Sequence, residues 1–125
     1  SNAVSELAKD ADMLVSEIID IPAMGAYIST ATSLPEGAES GIVAHMQKEH
    51  LSPENVAMIA RDAGVKMVVL THFANPDLTA SQISALQRGV TKHYSGPVVA
   101  GEDMMMLTVL NIGGNALTPN PQHDY

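Results

Sequence analysis

The sequence contains no cysteine and no tryptophan, and its aromatic residues amount to 3 % of the chain. Without cysteine the chain has no disulfide framework, no thiolate nucleophile and no thiolate metal ligand. With so few aromatic rings, the core must be built from aliphatic side chains and the eight methionines. Such a core is softer than an aromatic one, because methionine side chains are flexible.

Basic residues are also scarce. Six Lys and Arg stand against fourteen Asp and Glu, which gives a net charge of -8. This charge repels a phosphate backbone, so nucleic acid is not expected as a partner. No apolar run approaches the roughly 18 residues of a membrane-spanning helix, so we expect a soluble chain with no membrane partner. The absence of cysteine fits a cytoplasmic location, and that location is our expectation.

The length of 125 residues, with 46 % apolar and 16 % charged residues, is typical of one globular domain. Residues 1–3 have the sequence of a tag-removal scar. We therefore expect a domain over residues 4–112 that is a piece of a longer protein. Residues 113–125, which open with two glycines, are predicted to form a mobile tail.

The spacing of apolar residues predicts alternating helices and strands. In chain order these are a helix in 4–11, a strand in 12–19, a helix from 33 to about 48, a helix over 52–64, a strand in 66–70, a helix from 79, a strand at 98–100, and a strand or hairpin partner in 104–112. Segment 21–32 could be a loop or a helical turn. This order indicates an α/β fold, in which sites collect at the carboxyl ends of strands.

Three helix starts carry recognisable signals. Residues 33–36 (SLPE) and 79–82 (TASQ) have the form of capping boxes, in which the first and fourth side chains cap each other's backbone N–H groups. Residues 52–54 (SPE) combine an N-cap serine with proline at the first helical position. Gly64 then marks the end of that helix.

Three side chains are candidates for chemistry. His72 ends the strand of residues 66–70, where it could be a metal ligand, a general base, or a histidine satisfied by backbone and water. Glu17 interrupts an apolar strand, which is costly unless a partner such as histidine lies nearby. His50 lies just before a helix N-terminus, which is the place of either a surface histidine or a proton-transfer group.

Other polar residues give weaker signals. Glu102 and Asp103 form an acidic pair at a turn, which is usually solvated, and His45, His93 and His123 are typical surface histidines. The spacing of the histidines lacks the H-x-H or i, i+4 pattern of a complete zinc site. The chain also has no glycine-rich phosphate loop and no G-x-S-x-G elbow.

Residues 50–73 (HLSPENVAMIARDAGVKMVVLTHF) and 96–104 (GPVVAGEDM) together resemble the C-terminal part of metallo-β-lactamase-fold hydrolases. The similarity is greatest to the branch of tRNase Z and arylsulfatase-like enzymes. Residues 7–17 (LAKDADMLVSE) are similar to that family's A-x-x-A-D-x-L-x-H-E stretch. The resemblance covers about residues 4–107, and it implies the C-terminal half of a metallo-β-lactamase αββα sandwich.

The resemblance also implies roles for the three candidates. His72, in the Leu-Thr-His-Phe motif, matches the last histidine ligand of the family's metal centre. His50 matches the histidine of the H-S-T motif, which is implicated as the proton donor to the leaving group. Glu17 matches the glutamate of the H-E-A-T motif, which would orient that histidine. A two-metal zinc centre is expected in the full-length parent.

The chain departs from the family pattern in several places. The H-x-H-x-D-H motif, the middle histidine ligand and the bridging aspartate are absent from it. Ser16 stands where the H-E-A-T motif has histidine, and Leu51-Ser52 replaces Ser-Thr. We therefore expect the chain alone to lack a complete metal centre and to be inactive.

Two functions follow as expectations. The first is part of a zinc-dependent hydrolase, in which a metal-bound hydroxide attacks an ester, sulfate or phosphodiester bond, with a small molecule favoured as substrate. The alternative is a non-catalytic α/β binding or dimerisation module derived from that fold. A half sandwich leaves apolar area that a second copy could cover, so a homodimer is a possible partner state.

Overall fold

The computed structural model describes residues 2–30, 33–110 and 117–119, with side chains described for residues 3–30 and 33–110. Strands and helices alternate along most of the chain. The elements are α1 (Asn2–Leu7), β1 (Leu14–Ile18), α2 (Ile21–Ser29), α3 (Ala38–Glu49), α4 (Pro53–Ala63), β2 (Val68–Phe73), α5 (Ala80–Thr91), β3 (Val98–Ala100), β4 (Leu107–Val109) and β5 (Leu117–Pro119).

The first three strands form one parallel sheet with β2 in the centre. Leu14 of β1 pairs with Val68 of β2, and Val68 pairs in turn with Val98 of β3. Parallel strands need long crossovers, which the helices between them provide. All three carboxyl ends therefore meet at one edge of the sheet. The strands β4 and β5 form a separate antiparallel pair.

Helices α4 and α5 contact each other, and α4 also contacts β1. The main core contains the buried side chains of the helices and strands around this contact: Ile18, Val56, Ala57, Ala60, Ala63, Val65, Val68, Leu70, Leu86, Val90 and Tyr94. The start and end of α4 follow the signals in the sequence. Ser52 accepts a hydrogen bond from the Asn55 N–H, and Gly64 ends the helix in the left-handed region at φ 68°.

The segment left open between loop and helical turn is a helix, α2. The Asp20 side chain accepts a hydrogen bond from the Ala23 N–H, and Pro22 lies in the first turn, so both residues favour a helix start. Helix α2 packs on α3 through a second, smaller core cluster centred on Ile19, Met24 and Ile28. This helix pair connects β1 to the loop that carries His50.

The capping box predicted at residues 33–36 is wrong. Helix α3 begins only at Ala38, and its N-cap residue is Gly37, which has no side chain to cap the helix. Gly37 adopts φ 81°, a left-handed conformation that interrupts any helix started at Ser33. The second predicted box is confirmed, because Thr79 and Gln82 make both reciprocal hydrogen bonds.

Some element boundaries differ from those predicted. The first helix ends at Leu7, earlier than Ala11, and β2 continues past Leu70 to Phe73. Within segment 104–112 the strand is β4, while residues 111–116 and 120–125 lie outside the described residues. None of the helices in the described ranges has the length and apolar content needed to span a membrane.

Candidate functional site

The three candidate side chains lie at or near the carboxyl edge of the parallel sheet. Glu17 is the fourth residue of β1, and His72 is the fifth residue of β2. His50 follows the last residue of α3 and stands two residues before Ser52, the N-cap of α4. The fold therefore brings residues from three separate parts of the sequence to the carboxyl edge of the sheet.

Glu17 uses both of its carboxylate oxygens. Its Oε2 lies 3.1 Å from Nδ1 of His50, and its Oε1 accepts a hydrogen bond from the Leu51 N–H at 2.7 Å. We call Glu17 and His50 the acid–histidine pair. The side chains of the pair are 26 % and 27 % exposed respectively, so each is partly shielded from water. The histidine partner explains how a carboxylate is tolerated in this strand.

The contact decides which nitrogen of the histidine is available for chemistry. A carboxylate accepts hydrogen bonds but does not donate them, so Nδ1 of His50 must carry a proton. In the neutral ring Nε2 is then the free nitrogen, and in the charged ring Nε2–H is a second donor. The arrangement therefore orients Nε2 as a group that can accept or release a proton.

The loop that carries His50 is fixed by backbone hydrogen bonds as well. The Ile19 N–H donates to the Leu51 carbonyl oxygen at 3.0 Å, on the far side of β1 from β2. The His50 N–H donates to the Met46 carbonyl oxygen in the last turn of α3. These bonds fix the backbone at His50 and at Leu51, and they place the imidazole at the end of β1.

His72 lies in a β-bulge. Ser16 pairs with Leu70 and Ile18 pairs with Phe73, so two residues of β2, Thr71 and His72, lie opposite the single residue Glu17. His72 has φ 43°, in the left-handed region that is uncommon for residues other than glycine. Its side chain is exposed at this edge. Bulges of this kind often re-aim a side chain beside an active site.

A metal ion could contact His72, but the part of the chain that the structure describes does not supply a full ligand set. Within the described residues no three His, Asp or Glu side chains are grouped closely enough to hold a metal ion. Ser16, which stands where the related motif has histidine, is buried and donates its hydroxyl to the Glu17 carbonyl oxygen. One imidazole alone does not form a zinc centre, which needs three or four protein ligands.

The remaining candidates are placed apart from this arrangement or outside the described residues. Glu102 and Asp103 follow β3 and are exposed, as their position in a turn predicted. His45 and His93 are exposed in α3 and after α5. His123 lies outside the described residues. None of these side chains joins a metal-binding group in the described part of the chain.

Sequence reasoning missed Asn75, which lies beyond the end of β2. The residue is 7 % exposed, and its side chain makes hydrogen bonds at 2.7 Å to the backbone N–H and C=O of Asp20. The only local signal was asparagine before proline, which predicts a turn and no long-range contact. Its partner is 55 residues away in the sequence, so only the fold could reveal the bond.

Two of the cavities in the described part of the chain lie beside the main core. One of about 600 Å³ lies beside the segments that lead into β2 and β3, and its lining includes Arg61, Lys92 and Tyr94. Another of about 270 Å³ lies near the carboxyl edge, between Asp20 and Glu54. Neither is lined by His50 or His72. The acid–histidine pair therefore lies outside both of these cavities.

Comparisons with known proteins agree with the fold. No family model matches the chain. It is 33 % identical over 110 residues to "Ribonuclease Z" of Salinispora arenicola (strain CNS-205), covering 86 % of this chain and 28 % of that protein. It is 36 % identical over 103 residues to "Ribonuclease Z" of Nocardia farcinica (strain IFM 10152), covering 81 % and 27 %. The metallo-beta-lactamase fold protein YhfI from Bacillus subtilis superposes with a TM-score of 0.52 at 17 % identity, over 82 % of this chain and 33 % of YhfI.

The fold and these relatives define the class of the protein. Its parallel sheet and covering helices are those of part of a metallo-β-lactamase fold, as the resemblance in the sequence implied. The chain belongs to the metallo-β-lactamase-fold superfamily, in the branch that contains ribonuclease Z. It spans just over a quarter of the length of the curated relatives it matches.

The expectations about substrate are not supported by these relatives. Their name denotes a ribonuclease, whereas the net charge of -8 led us to expect a small-molecule substrate and no nucleic acid. The expectation failed because it used the charge of this chain alone. A net charge describes only the residues counted, and this chain matches a small part of each relative. The charge of these 125 residues therefore does not exclude an RNA substrate.

Proposed function

We propose that this chain supplies one part of the active site of a metal-dependent hydrolase that cleaves a phosphodiester bond in RNA. The observation that carries the proposal is the contact of Glu17 Oε2 with His50 Nδ1 at 3.1 Å, in a chain related to ribonuclease Z. That contact leaves the opposite ring nitrogen aimed away from the carboxylate. The proposal combines this geometry with the relationship, because neither alone specifies the reaction.

The acid–histidine pair would act on the leaving group. Glu17 holds Nδ1–H of His50, so Nε2 faces away from the carboxylate and donates from the protonated ring. As an oxygen from water bonds to phosphorus and the bond from phosphorus to the leaving oxygen breaks, the proton moves from Nε2 to that leaving oxygen. His50 then becomes neutral and keeps its Nδ1 proton on the carboxylate side. This is general acid catalysis by an oriented imidazole.

His72 would have a separate role as one ligand of a zinc centre. Its exposed ring at the sheet edge, in a left-handed bulge, is the observation in favour of that role. The other ligands would come from residues outside the described part of this chain, because the described residues do not complete a site. We therefore assign His72 to metal binding and the acid–histidine pair to proton transfer.

The alternative of a non-catalytic binding or dimerisation module is not favoured. A module that had lost its chemistry would have no need to keep a carboxylate bonded to both His50 and the Leu51 N–H. Replacing a whole partly buried pair of this kind with apolar residues is often neutral or stabilising, so fold stability alone does not require the pair. Its presence fits a retained chemical role.

The division of roles is tested by two alanine variants in the complete enzyme that contains this chain. His50→Ala should lower kcat by about 10²–10⁴-fold while zinc content stays the same, as for loss of a general acid. His72→Ala should lower zinc content together with kcat. His45→Ala is the matched control, because His45 is exposed in α3 five residues before His50. Equal zinc loss in the His50 and His72 variants would overturn the assignment.

The substrate class is tested by comparing RNA with a small chromogenic phosphodiester. If RNA is the substrate, kcat/KM should be higher for RNA than for the small diester. Raising the salt concentration should reduce this difference, because salt screens the contacts between the protein and the RNA phosphates. His50→Ala should affect the two substrates unequally. A chromogenic leaving group needs less protonation than a ribose oxygen, so its hydrolysis depends less on a general acid. Hydrolysis of the small diester with no activity on RNA would contradict the proposal.

A further inference from the structure

Asn75 extends the pairing of β1 and β2 beyond the ends of both strands. Its Oδ1 accepts the Asp20 N–H and its Nδ2 donates to the Asp20 C=O, each at 2.7 Å. A side-chain amide here does what a main-chain peptide group does inside a sheet. The two partners also determine which way the amide faces. Burial to 7 % exposure makes both bonds costly to lose.

The bulge next to Asn75 needs such a restraint. Leu70 and Phe73 both pack with the main core, although they are three residues apart in β2. In a regular strand residues three apart lie on opposite faces, and the extra residue in the bulge removes that conflict. The cost is the left-handed backbone of His72 at φ 43°. Strained conformations of this kind persist only when the surrounding structure determines them.

The restraint on the carboxyl side of the bulge consists of consecutive bonds to the last residue of β1 and to the segment that follows it. The Ala74 N–H donates to the Ile18 carbonyl oxygen at 3.0 Å, and the Asn75 amide then binds Asp20. Ala74 and Asn75 are two and three residues after His72. Without the amide, the Ala74 bond and the strand pairing of Phe73 with Ile18 would remain between His72 and the turn at residue 76.

The segment directly after β1 also holds the loop of the acid–histidine pair. Asp20 follows Ile19, and the Ile19 N–H donates to the Leu51 carbonyl oxygen at 3.0 Å. The Leu51 N–H in turn donates to Glu17. Asn75 and Leu51 therefore bind adjacent residues of the segment after β1, from its two sides. That segment is the physical connection between the bulge and the histidine loop.

We propose that Asn75 is a positioning residue that fixes the place of His72 relative to the acid–histidine pair. The role of this placement in catalysis rests on the proposed function of those residues. The effect of Asn75 on the position of His72 is independent of that function. Asn75 touches none of the reacting groups. It acts through its hydrogen bonds to Asp20, which hold the bulge of β2 next to the segment that binds the histidine loop.

The proposal is tested by NMR on this chain with three variants. Asn75→Ala removes both amide bonds, and Asn75→Asp keeps an acceptor for the Asp20 N–H but loses the donor to its carbonyl. Tyr94→Phe is the control, because it removes a different buried hydrogen bond, from the Tyr94 hydroxyl to the Val65 carbonyl oxygen at 2.8 Å. The readouts are the intraresidue Hα–HN NOE of His72, which is strong for positive φ, and the ring ¹⁵N resonances of His72 and His50.

For Asn75→Ala we expect the NOE of His72 to fall to that of an extended residue and the ring resonances of both histidines to shift. Hydrogen exchange of the Asp20 amide should speed up about three- to tenfold, the net worth of one hydrogen bond. Tyr94→Phe should leave all these signals in place. If Asn75→Ala does not fold, the same NOE and ring resonances are measured in Asn75→Asp, and the same changes are expected there.

Unchanged His72 signals in the folded variant would overturn the proposal, and so would equal changes in Tyr94→Phe, since these would indicate general loosening. The readouts are conformational, so they are independent of activity. If His50→Ala had no effect on kcat in the complete enzyme, the proposed function would fail while Asn75 could still be shown to place His72.

Discussion

Glu17 divides its carboxylate between the His50 ring at 3.1 Å and the Leu51 N–H at 2.7 Å, so one side chain fixes both the orientation of the imidazole and the path of its loop. The partners are 33 and 34 residues away in the sequence. Hydrogen bonds to a charged group are stronger than neutral ones, and sharing the carboxylate links the two partners. Loss of Glu17 should therefore affect the histidine tautomer and the loop together.

The first prediction concerns Glu17→Ala. It should move the neutral His50 ring from the Nδ1–H tautomer toward a mixture with Nε2–H, because the acceptor for Nδ1–H is gone. The cost in free energy of unfolding should be about 1–3 kcal/mol, since a part-buried Leu51 N–H loses its partner. Ring ¹⁵N shifts and chemical denaturation measure the two effects. Glu49→Ala, which removes the same charge from an exposed position, should change neither.

The second prediction compares two helix starts that have the same sequence signal. Thr79→Ala should lower the free energy of unfolding by about 1 kcal/mol, because Thr79 caps α5 through the Gln82 N–H. Ser33→Ala should change it by less than about 0.5 kcal/mol, as for an ordinary exposed site. Ser33 is exposed and does not cap α3. Urea denaturation of both variants measures the difference, and equal losses would contradict the placement of the α3 start.

The third prediction compares two glycines in helices. A methyl group at Gly89 of α5 would lie 2.7 Å from the Pro53 Cβ, whereas nothing lies within 4 Å at Gly41 of α3. Gly89→Ala should therefore destabilise the chain by about 1–3 kcal/mol through overpacking. Gly41→Ala should stabilise it by up to about 1 kcal/mol, the helix preference of alanine over glycine. Thermal or urea unfolding gives the sign of each change, and the same sign for both would rule out the contact between α5 and the start of α4.

The fourth prediction concerns alkaline pH. Burial raises the pKa of the Tyr94 hydroxyl above its ordinary value near 10, because the charged phenolate is poorly solvated inside the protein. The folded state then keeps a proton that the unfolded state loses, so stability is full below about pH 10 and falls as pH rises through the folded pKa. The test is to measure the free energy of unfolding between pH 8 and 11.

Two tyrosine variants complete that test. Tyr94→Phe should remove this tyrosine's part of the alkaline loss, while lowering stability at pH 8 because the bond to the Val65 carbonyl oxygen is gone. Tyr27→Phe removes a hydroxyl from an exposed side chain, so it should leave the alkaline loss in place. An alkaline slope that survives unchanged in Tyr94→Phe would show that another group causes it.

Local signals explain most of the helices and strands that could be predicted. The start of α4 at Ser52-Pro53 and the capping box at Thr79 depend on residues within one helical turn, so both can be predicted from the sequence. The start of α3 was misread because Gly37 adopts a left-handed conformation, and the same pattern of letters allows both outcomes. Helix α2 stayed ambiguous, although Asp20 and Pro22 carried a usable start signal.

The sequence by itself determined the α/β alternation, the family resemblance and the identity of the three candidate side chains, because these depend on residue type and short-range order. It also indicated that Glu17 needs a partner, since a strand carboxylate is costly alone. Only the tertiary structure decided that the partner is His50, that His72 lies in a strained bulge opposite Glu17, and that Asn75 ties the two strands together. These relations join residues tens of positions apart, and their geometry is set by the register of parallel strands, which local sequence does not encode.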